Sequence, residues 1–586
     1  MQQFLDVYGF VSVLLHMAVL LSRSALIGGI AFWVLLAVPV SRDLTREDGA
    51  RLLGIARRGV RIAAWLTLGL TALASVLGAL ALAASMEIPL GSALGAEFVV
   101  SGAIVVAGAA LALLLAAPAD PPAPGRRLAL AAAALLCLAG GVAGSHAMAR
   151  TEDRALLMLA TALHHLGAAL WLGGLPVFLA SLRLAGPVRR RAAVPAGLSV
   201  AGPASLGAAQ VAAPAMSGLS AARAIGAAYS RLAAGGVLLI VLGILGFWGA
   251  YLGGVGNLYG TAYGAMSATK GALFGLLLLL GLGNFLVLHG FVRNPEKHLN
   301  HVRRFVECEI GLGVAVLAAA ASLTSLPPAV DNPAADVASW AEVTERFTPT
   351  WPRLSSPDHA DLAIPELQAR LDAEWQRRQA DPRPQAFAPG EGFLPPRNAS
   401  DIAWSEYNHH WAGLVVLLVG LAALLDATGR VPWARHWPLL FLILAGFLAF
   451  RSDPEVWPLG EIGLIESMRD AEVVQHRLFA LLVVAFAVAE WRVRLGKVQG
   501  RLRYVFPGAM VLGGVLLLAH NHAISNVKEA LLIELSHLPL GAMAVISGCA
   551  RWVELRGEGR EARIARWVWP VGMVLMGLLL MLYREA

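Results

Sequence analysis

The side chains best suited to chemistry in this 586-residue chain are its fifteen histidines. Six of them stand at the ends of apolar blocks in the C-terminal third: His409, His410, His476, His520, His522 and His537. Because successive membrane helices run in opposite directions, all six are expected at the same membrane face. Imidazole suits copper, zinc, iron and nickel, and ligands from facing helices form metal sites in bundles. The pattern therefore predicts a metal site at that face.

Helix geometry limits how many of these histidines can share one ion. His409 and His410 point about 100° apart on a helix, and His520 and His522 point about 200° apart. We therefore expect about four nitrogens, from one member of each pair together with His476 and His537. For any single histidine, the alternative is a solvated residue at the level of the lipid headgroups.

Three carboxylates precede these histidines at helical spacing and are expected to orient them or to act as further ligands. They are Glu406, Glu472 and Glu534, which come three, four and three residues before His409, His476 and His537. The alternative for such acids is a favourable interaction with the dipole of the helix that they begin. Two of the pairs also have the Glu-x-x-His spacing of di-iron bundles.

A sparser set of possible ligands is expected at the same face in the N-terminal half: His16, His146, His164 and His165, with Met17 and Met148 close by. Thioether sulfur is a soft ligand that favours Cu(I), whereas packing against lipid or the core is the alternative for each methionine. Three charged residues also fall within predicted spans: Arg23, Lys270 and Glu309. These residues either form structural ion pairs or take part in a transport pathway. For Lys270, a position at the membrane interface is a further alternative.

Composition indicates the kind of element that carries these residues. The chain is 57% hydrophobic and only 15% charged, with a mean hydropathy of +0.65. Its apolar residues come in blocks of about 18 or more, which is the length of a membrane-spanning helix. These features exclude a soluble enzyme, a nucleic-acid-binding module and a disordered chain. They predict an all-α polytopic membrane protein in contact with lipid.

We predict about fourteen transmembrane helices, near residues 7–40, 62–85, 97–117, 128–149, 155–182, 229–252, 267–292, 303–325, 411–428, 436–450, 476–491, 503–520, 537–553 and 566–583. The first block is too long for one upright helix, so either it is tilted or Phe4–Leu21 precedes a span that begins near Arg23. Five basic loops fall on one side of this arrangement: 41–61, 183–228, 293–304, 492–503 and 551–566. That side is then cytoplasmic, and both termini are expected to be periplasmic. The net charge of +7 lies in these loops and does not indicate a nucleic-acid partner.

Proline-rich residues 328–403 separate eight predicted helices in residues 1–327 from six in residues 404–586. They are predicted to form a periplasmic linker or small cap with one helix, Ile364–Gln379. Residues 192–222 read as a flexible cytoplasmic loop. The first positive residue is Arg23, so a cleaved signal peptide is not expected.

The three cysteines, Cys137, Cys308 and Cys549, are far apart in the sequence. They form no Cys-x-x-Cys pair, so the sequence implies neither a disulfide framework nor a thiolate metal site.

Several segments share the pattern of one known family. His164 opens a His-x6-Trp-x-Gly-Gly element within Ala162–Leu175, and this element follows the run Gly144–Ala147. Further matching pieces are Thr261–Gly264, Ala268–Phe274, Asn284, Glu309, Leu323–Pro328, and Arg23 with Gly28, Gly29 and Phe32. Over about residues 20–328, the chain therefore resembles the copper resistance protein D (CopD) family.

The resemblance implies a bacterial inner-membrane protein that moves copper inward from the periplasm. It also implies a periplasmic CopC-type copper carrier as a partner, and a role in copper handling for His146 and His164. Residues 404–586 lie outside the resemblance, and their function is predicted from the positions of their histidines alone.

Copper transport or handling, without enzymatic activity, is the function that these observations favour. The chain has no GxxxxGK[ST] element, so ATP is not expected to drive transport. One alternative is a redox protein with b-type haem or iron, because histidines on facing helices can bind haem. Another is a copper-delivery or assembly factor that does not translocate the ion. Import raises cytoplasmic copper and delivery leaves it unchanged, so copper accumulation separates these two functions.

Overall fold

The computed structural model of the protein describes residues 2–585 except 186–217, 290–294, 358–372, 374–375, 377–398, 453–455, 459, 461, 469–470, 499 and 520–526. The described residues are mostly helical and contain no strand, which confirms the predicted all-α class. His520, His522, nearly all of the predicted helix Ile364–Gln379 and most of the predicted loop 192–222 lie outside them.

The N-terminal part of the chain forms eight long helices. They are α1 (Gln2–Ala31), α2 (Arg46–Ser85), α3 (Glu97–Leu115), α4 (Pro124–Ala143), α5 (Arg154–Ala168), α6 (Gly218–Phe247), α7 (Ala262–Leu288) and α8 (Pro295–Leu323). Three of them continue as π-helix, over Phe32–Ala37 after α1, Ala169–Gly173 after α5 and Trp248–Leu252 after α6. Further short α or 3-10 segments are Val38–Ser41, Leu90–Ala93, His146–Ala149, Leu175–Ser181, Leu182–Ala185 and Gly256–Gly260. The long first block is thus one continuous helical element.

The described residues of the C-terminal part form six further helices of ten or more residues. They are α9 (Ala399–Thr428), α10 (Phe441–Phe450), α11 (Ala471–Arg494), α12 (Val505–Leu518), α13 (Val527–Arg556) and α14 (Arg560–Met581). Two 3-10 segments, Pro432–Leu440 and Gly500–Tyr504, lead into α10 and α12. The remaining short elements are the α-helices Trp340–Arg346 and Leu464–Ser467 and the 3-10 turns Ala329–Asp331 and Ala334–Asp336.

Thirteen helices among the described residues are long and apolar enough to cross a membrane, which confirms a multi-pass membrane protein. The helix α11 occupies the place of the predicted eleventh span but is not among the thirteen. The helix α6 begins at Gly218, earlier than the predicted residue 229, because the preceding Ala-rich stretch has high helix propensity.

The two parts of the chain pack against each other. Within them, the pairs α1–α2, α3–α4, α5–α6, α7–α8, α9–α14, α12–α13 and α13–α14 make the most extensive contacts. Between them, α7 and α8 contact α13, and α8 also contacts α12. Val515, Leu518 and Val545 from the C-terminal part belong to the same buried cluster as the core of α1–α8. The division at residues 327 and 404 remains a prediction from sequence.

Two helices approach closely where α1 meets the π-helical segment after α5. A Cβ atom on Gly28 would overlap the carbonyl oxygen of Ala169, and one on Gly173 would overlap that of Ser24. Short π-helical segments often occur at functional sites. This contact lies a few residues from Arg23 and His165, and it holds the helices that carry them together.

Candidate metal centre

The four N-terminal histidines lie on three helical elements that meet in the α1–α8 bundle. His16 on α1 interacts electrostatically with His146, which begins a short helix, and with Arg23. His165 on α5 interacts with His16 and Arg23, and also with Lys270 on α7. These electrostatic interactions link one group of residues, which we call the front cluster: His16, Arg23, His146, His164, His165 and Lys270.

Ring nitrogens in the front cluster are suited to bind a ligand. Among the described residues, His146 Nε2 and His165 Nδ1 are buried without a hydrogen-bond partner. His164 donates its Nδ1–H to the carbonyl of Ile240 at 3.4 Å, and its ring lies edge-on to Phe247. Metal-binding histidines commonly donate their other ring N–H to a backbone carbonyl in this way. Because burial of unpaired polar atoms costs free energy, a bound ion would offset that cost here.

His146 lies between the candidate spans that contain α4 and α5. Burial lowers the pKa of its imidazole, while a hydrogen bond with the backbone of Thr324 acts in the opposite direction. The neutral ring that burial favours is also the form that binds metal ions. His146 is therefore in its metal-binding state at neutral pH.

The two methionines have different surroundings. Met17 packs against buried side chains of two hydrophobic clusters, as the core-packing alternative expects. Met148 is half-buried in the same short helix as His146. Proximity to a predicted ligand thus supports Met148 more than Met17 as a sulfur donor.

The cations of the front cluster, Arg23 and Lys270, lie among groups other than carboxylates in the described structure. The Arg23 side chain is buried and lies against Gly141, where a Cβ atom would overlap its Nη1. In the part of the chain that the structure describes, no carboxylate forms an ion pair with Arg23 or Lys270. The cluster of imidazoles therefore carries nearby uncompensated positive charge.

Glu309 lies apart from these cations in a network of neutral hydrogen-bond donors. Its carboxylate is 3% exposed and accepts hydrogen bonds from Asn284 Nδ2 at 2.6 Å and Trp171 Nε1 at 3.4 Å. Tyr229 donates its hydroxyl to the carbonyl of Trp171. Sequence reasoning identified Glu309, Trp171 and Asn284, but not Tyr229, because no sequence spacing links Tyr229 to the tryptophan.

In the C-terminal part, His409 and His537 form a second group, which we call the back pair. Their ring centroids are 5.6 Å apart, and the rings are nearly perpendicular. Tyr583, which follows α14, stacks on His409 at 4.0 Å and lies edge-on to His537 at 5.7 Å. The Nδ1–H groups of the two histidines donate to the carbonyls of Ser405 at 2.8 Å and Ile533 at 2.9 Å. The lone pair that binds metal ions is then on Nε2 in both rings.

His410 has a structural role. The backbone N–H of Arg353 donates to its Nδ1 at 2.7 Å, and its Nε2–H donates to the carbonyl of Tyr583 at 2.7 Å. Because both ring nitrogens have backbone partners, His409 is the member of this pair that faces another histidine. This agrees with the expectation that one residue of the pair points inward.

The remaining predicted ligands that the structure describes lie on several different elements. His476 is half-buried on α11, which packs mainly on α10, the 3-10 segment Pro432–Leu440 and α12. Glu534 is buried beside His537 in sequence, and Glu406 lies 3.5 Å from Arg353, but the side chain of Glu472 is not described. Among described residues, no three His, Cys, Asp or Glu side chains are placed to hold one ion. The convergence of six histidines therefore stays a prediction.

The structure shows a cysteine contact that the sequence did not predict, between free cysteines. The Cys308 thiol on α8 donates to the carbonyl of Cys549 on α13 at 3.6 Å, and the Cys549 thiol donates to that of Cys308 at 4.0 Å. The two thiols also contact each other. Cys137 is buried elsewhere, near Arg23. A separation of 241 residues concealed this pair, because only the packing of α8 on α13 brings the cysteines together.

Comparison with known proteins gives one family match, and the matched residues include part of this site. Neither a curated protein nor a solved structure matches the chain. One family model, described as copper resistance protein D, matches residues 223–323. These residues contain Lys270, Asn284, Cys308 and Glu309. The sequence resemblance is thus confirmed over α6–α8, and this membrane protein carries a copper resistance protein D region.

Proposed function

We propose that the protein takes up copper from the periplasm across the bacterial inner membrane, with both termini periplasmic. The observation that carries this proposal is the front cluster, where four histidines on three helical elements interact electrostatically and two buried ring nitrogens have no hydrogen-bond partner among the described residues. The copper resistance protein D region supports copper as the ion. Neutral imidazoles with a methionine nearby suit copper better than they suit hard cations such as Mg²⁺ or Ca²⁺.

The charges around the cluster support transport over storage. A transported ion must bind well enough to enter a site and weakly enough to leave it. Arg23 and Lys270 repel a nearby copper ion, and this repulsion is strong where the dielectric constant is low. In this proposal the two cations keep the histidines from binding copper too tightly to release it. Glu309 is the next polar position towards the cytoplasm.

The back pair is proposed as a capture site on the periplasmic face, supported by Nε2 lone pairs on His409 and His537. His476, His520 and His522 are candidates to complete it, as is Glu534. A periplasmic CopC-type carrier is the proposed source of copper. A b-type haem or an iron centre is the alternative for this site, and metal analysis separates these possibilities.

Copper accumulation in cells tests the proposed function. Cells that express the chain should gain cytoplasmic copper, and a His146→Ala/His164→Ala variant should lose most of that gain. His289→Ala is the matched control, because this histidine is exposed at the end of α7. Unchanged cytoplasmic copper with more copper in a periplasmic cuproenzyme would instead show delivery. Equal accumulation by the double variant and the parent would refute the role of the front cluster.

A further inference from the structure

The contact between Cys308 and Cys549 joins the two parts of the protein. Cys308 lies eight residues after Asn300, where its candidate span begins. Cys549 lies seven residues before Arg556, where its candidate span ends. At about 1.5 Å per residue, both thiols are about 10–12 Å from these span ends. The charge pattern predicts that both ends are cytoplasmic. The pair is thus expected on the opposite side of the membrane from the front cluster.

The surroundings bury the Cys308 thiol and leave the partly buried Cys549 thiol next to it. Cys308 is 4% exposed and belongs to a small buried cluster with Val553 and Ala565. Gly311 lies beside the Cys549 sulfur, where an added Cβ atom would come within 3.2 Å. The reciprocal thiol–carbonyl hydrogen bonds place each sulfur at the neighbouring backbone. Two soft ligands are therefore preorganised at the α8–α13 contact.

We propose that Cys308 and Cys549 together bind Cu(I) between the two parts of the protein. This inference rests on the proposed copper function. Soft sulfur ligands favour Cu(I) as well as zinc, and Cu(I) accepts a site with only two sulfur donors. One thiolate neutralises the charge of Cu⁺, and the second cysteine coordinates as a neutral thiol. In the proposed step, Cu⁺ forms two Cu–S bonds while one S–H bond breaks and one proton leaves to water. Copper remains Cu(I), nothing is oxidised or reduced, and the neutral product avoids the cost of a buried net charge.

The location gives this site a role on the release side of transport. A copper ion bound by two thiols exchanges readily by attack of a third thiol, so cytoplasmic thiol compounds are suitable acceptors. The ion would also connect α8, within the copper resistance protein D region, to α13 outside it. The N-terminal part and the C-terminal part would then each supply one of the two sulfur ligands.

The test is Cu(I) binding by the purified full chain, reduced and without oxygen, in competition with a Cu(I) chelator such as bathocuproine disulfonate. X-ray absorption at the copper edge reports the ligand atoms. We expect sulfur ligands in the parent, and at least a tenfold loss of affinity with loss of sulfur ligation in Cys308→Ser and in Cys549→Ser. Cys137→Ser is the matched control and should behave as the parent. Thermal unfolding of each variant checks its folding.

The outcomes separate this inference from the proposed function. Copper bound only by nitrogen in the parent would overturn the thiol site while leaving copper handling intact, and this result does not depend on any variant folding. Parent-like affinity and sulfur ligation in both serine variants would also overturn it. A parent that binds no copper in either oxidation state would refute the inference and the proposed function together.

Discussion

At the scale of single residues, two buried carboxylates show how differently this protein accommodates acids. Glu490 is paired with Arg551 at 2.6 Å and with Arg494 at 2.9 Å, so its charge is compensated. Among the described residues, the hydrogen bonds that Glu309 receives come instead from the neutral groups of Asn284 and Trp171. A buried ionisable group without an opposite charge is typical of functional positions in membrane proteins. Glu309 is therefore the stronger candidate for a role in ion movement.

We predict that Glu309→Leu destabilises the protein by about 2–4 kcal/mol, because the buried donors of Asn284 and Trp171 each lose their acceptor. Glu309→Gln keeps an acceptor oxygen and should lose much less stability. Thermal unfolding in detergent measures both effects. Equal melting temperatures for the leucine and glutamine variants would show that the network does not stabilise the fold. Copper uptake by the glutamine variant then reports whether the ionisable group itself is needed.

The candidate site was only partly predictable from residue types. Hydropathy and predicted topology suffice to group the histidines of the front cluster, because they place His16, His146, His164 and His165 towards the same face of the membrane. The sequence does not predict the contacts of Tyr229 and Tyr583 or the Cys308–Cys549 pair. These contacts depend on which helices pack against each other. Such contacts join residues 58, 174 and 241 positions apart, as with Tyr229 and Trp171, Tyr583 and His409, and the two cysteines. Helix periodicity alone does not determine them.

At the scale of secondary structure elements, the contact between α1 and the π-helical segment after α5 holds the front cluster together. Gly28 and Gly173 permit backbones to approach each other where any side chain would overlap a carbonyl group. Small residues at helix contacts allow this packing in membranes, where no hydrophobic effect drives helices together. Van der Waals contact at these glycines is thus a main source of attraction between the two elements.

We predict that Gly173→Ala lowers stability by about 1–3 kcal/mol, since the methyl group forces the two elements apart. Copper binding by the front cluster should weaken as well, because Arg23 and His165 would separate. Gly271→Ala on α7 is the matched control, as nothing lies within 4 Å of its added methyl group. The measurements are thermal unfolding and copper retention. Identical results for both alanine variants would contradict the proposed importance of this contact.

At the scale of the whole molecule, the two parts are joined by polar contacts as well as by the shared core. Glu307 on α8 accepts a hydrogen bond from Trp552 Nε1 at 2.7 Å and forms an ion pair with Arg556 at 3.2 Å. Ser322 donates to the carbonyl of Leu518 at 2.7 Å. The division of the sequence by a proline-rich stretch gave no indication of this tight association. Hydropathy predicts the number of helices well, but it contains little information about their neighbours.

We predict that Glu307→Ala destabilises the protein by about 1–3 kcal/mol, because it leaves the partly buried indole N–H of Trp552 without its acceptor. Glu47→Ala is the control, since Glu47 and Arg51 form an exposed ion pair, and such pairs contribute little. Thermal unfolding of both variants in the same detergent is the measurement. A Glu47→Ala effect as large as that of Glu307→Ala would argue against a stabilising contact between the two parts.

The proposed function requires that this membrane protein binds copper through its histidines. Elemental analysis of the purified, copper-loaded and desalted protein measures this binding, alongside His146→Ala/His164→Ala and His409→Ala/His537→Ala variants. We expect the parent to retain copper and each double variant to retain less. Iron or haem in place of copper, or equal copper in the parent and both variants, would contradict it.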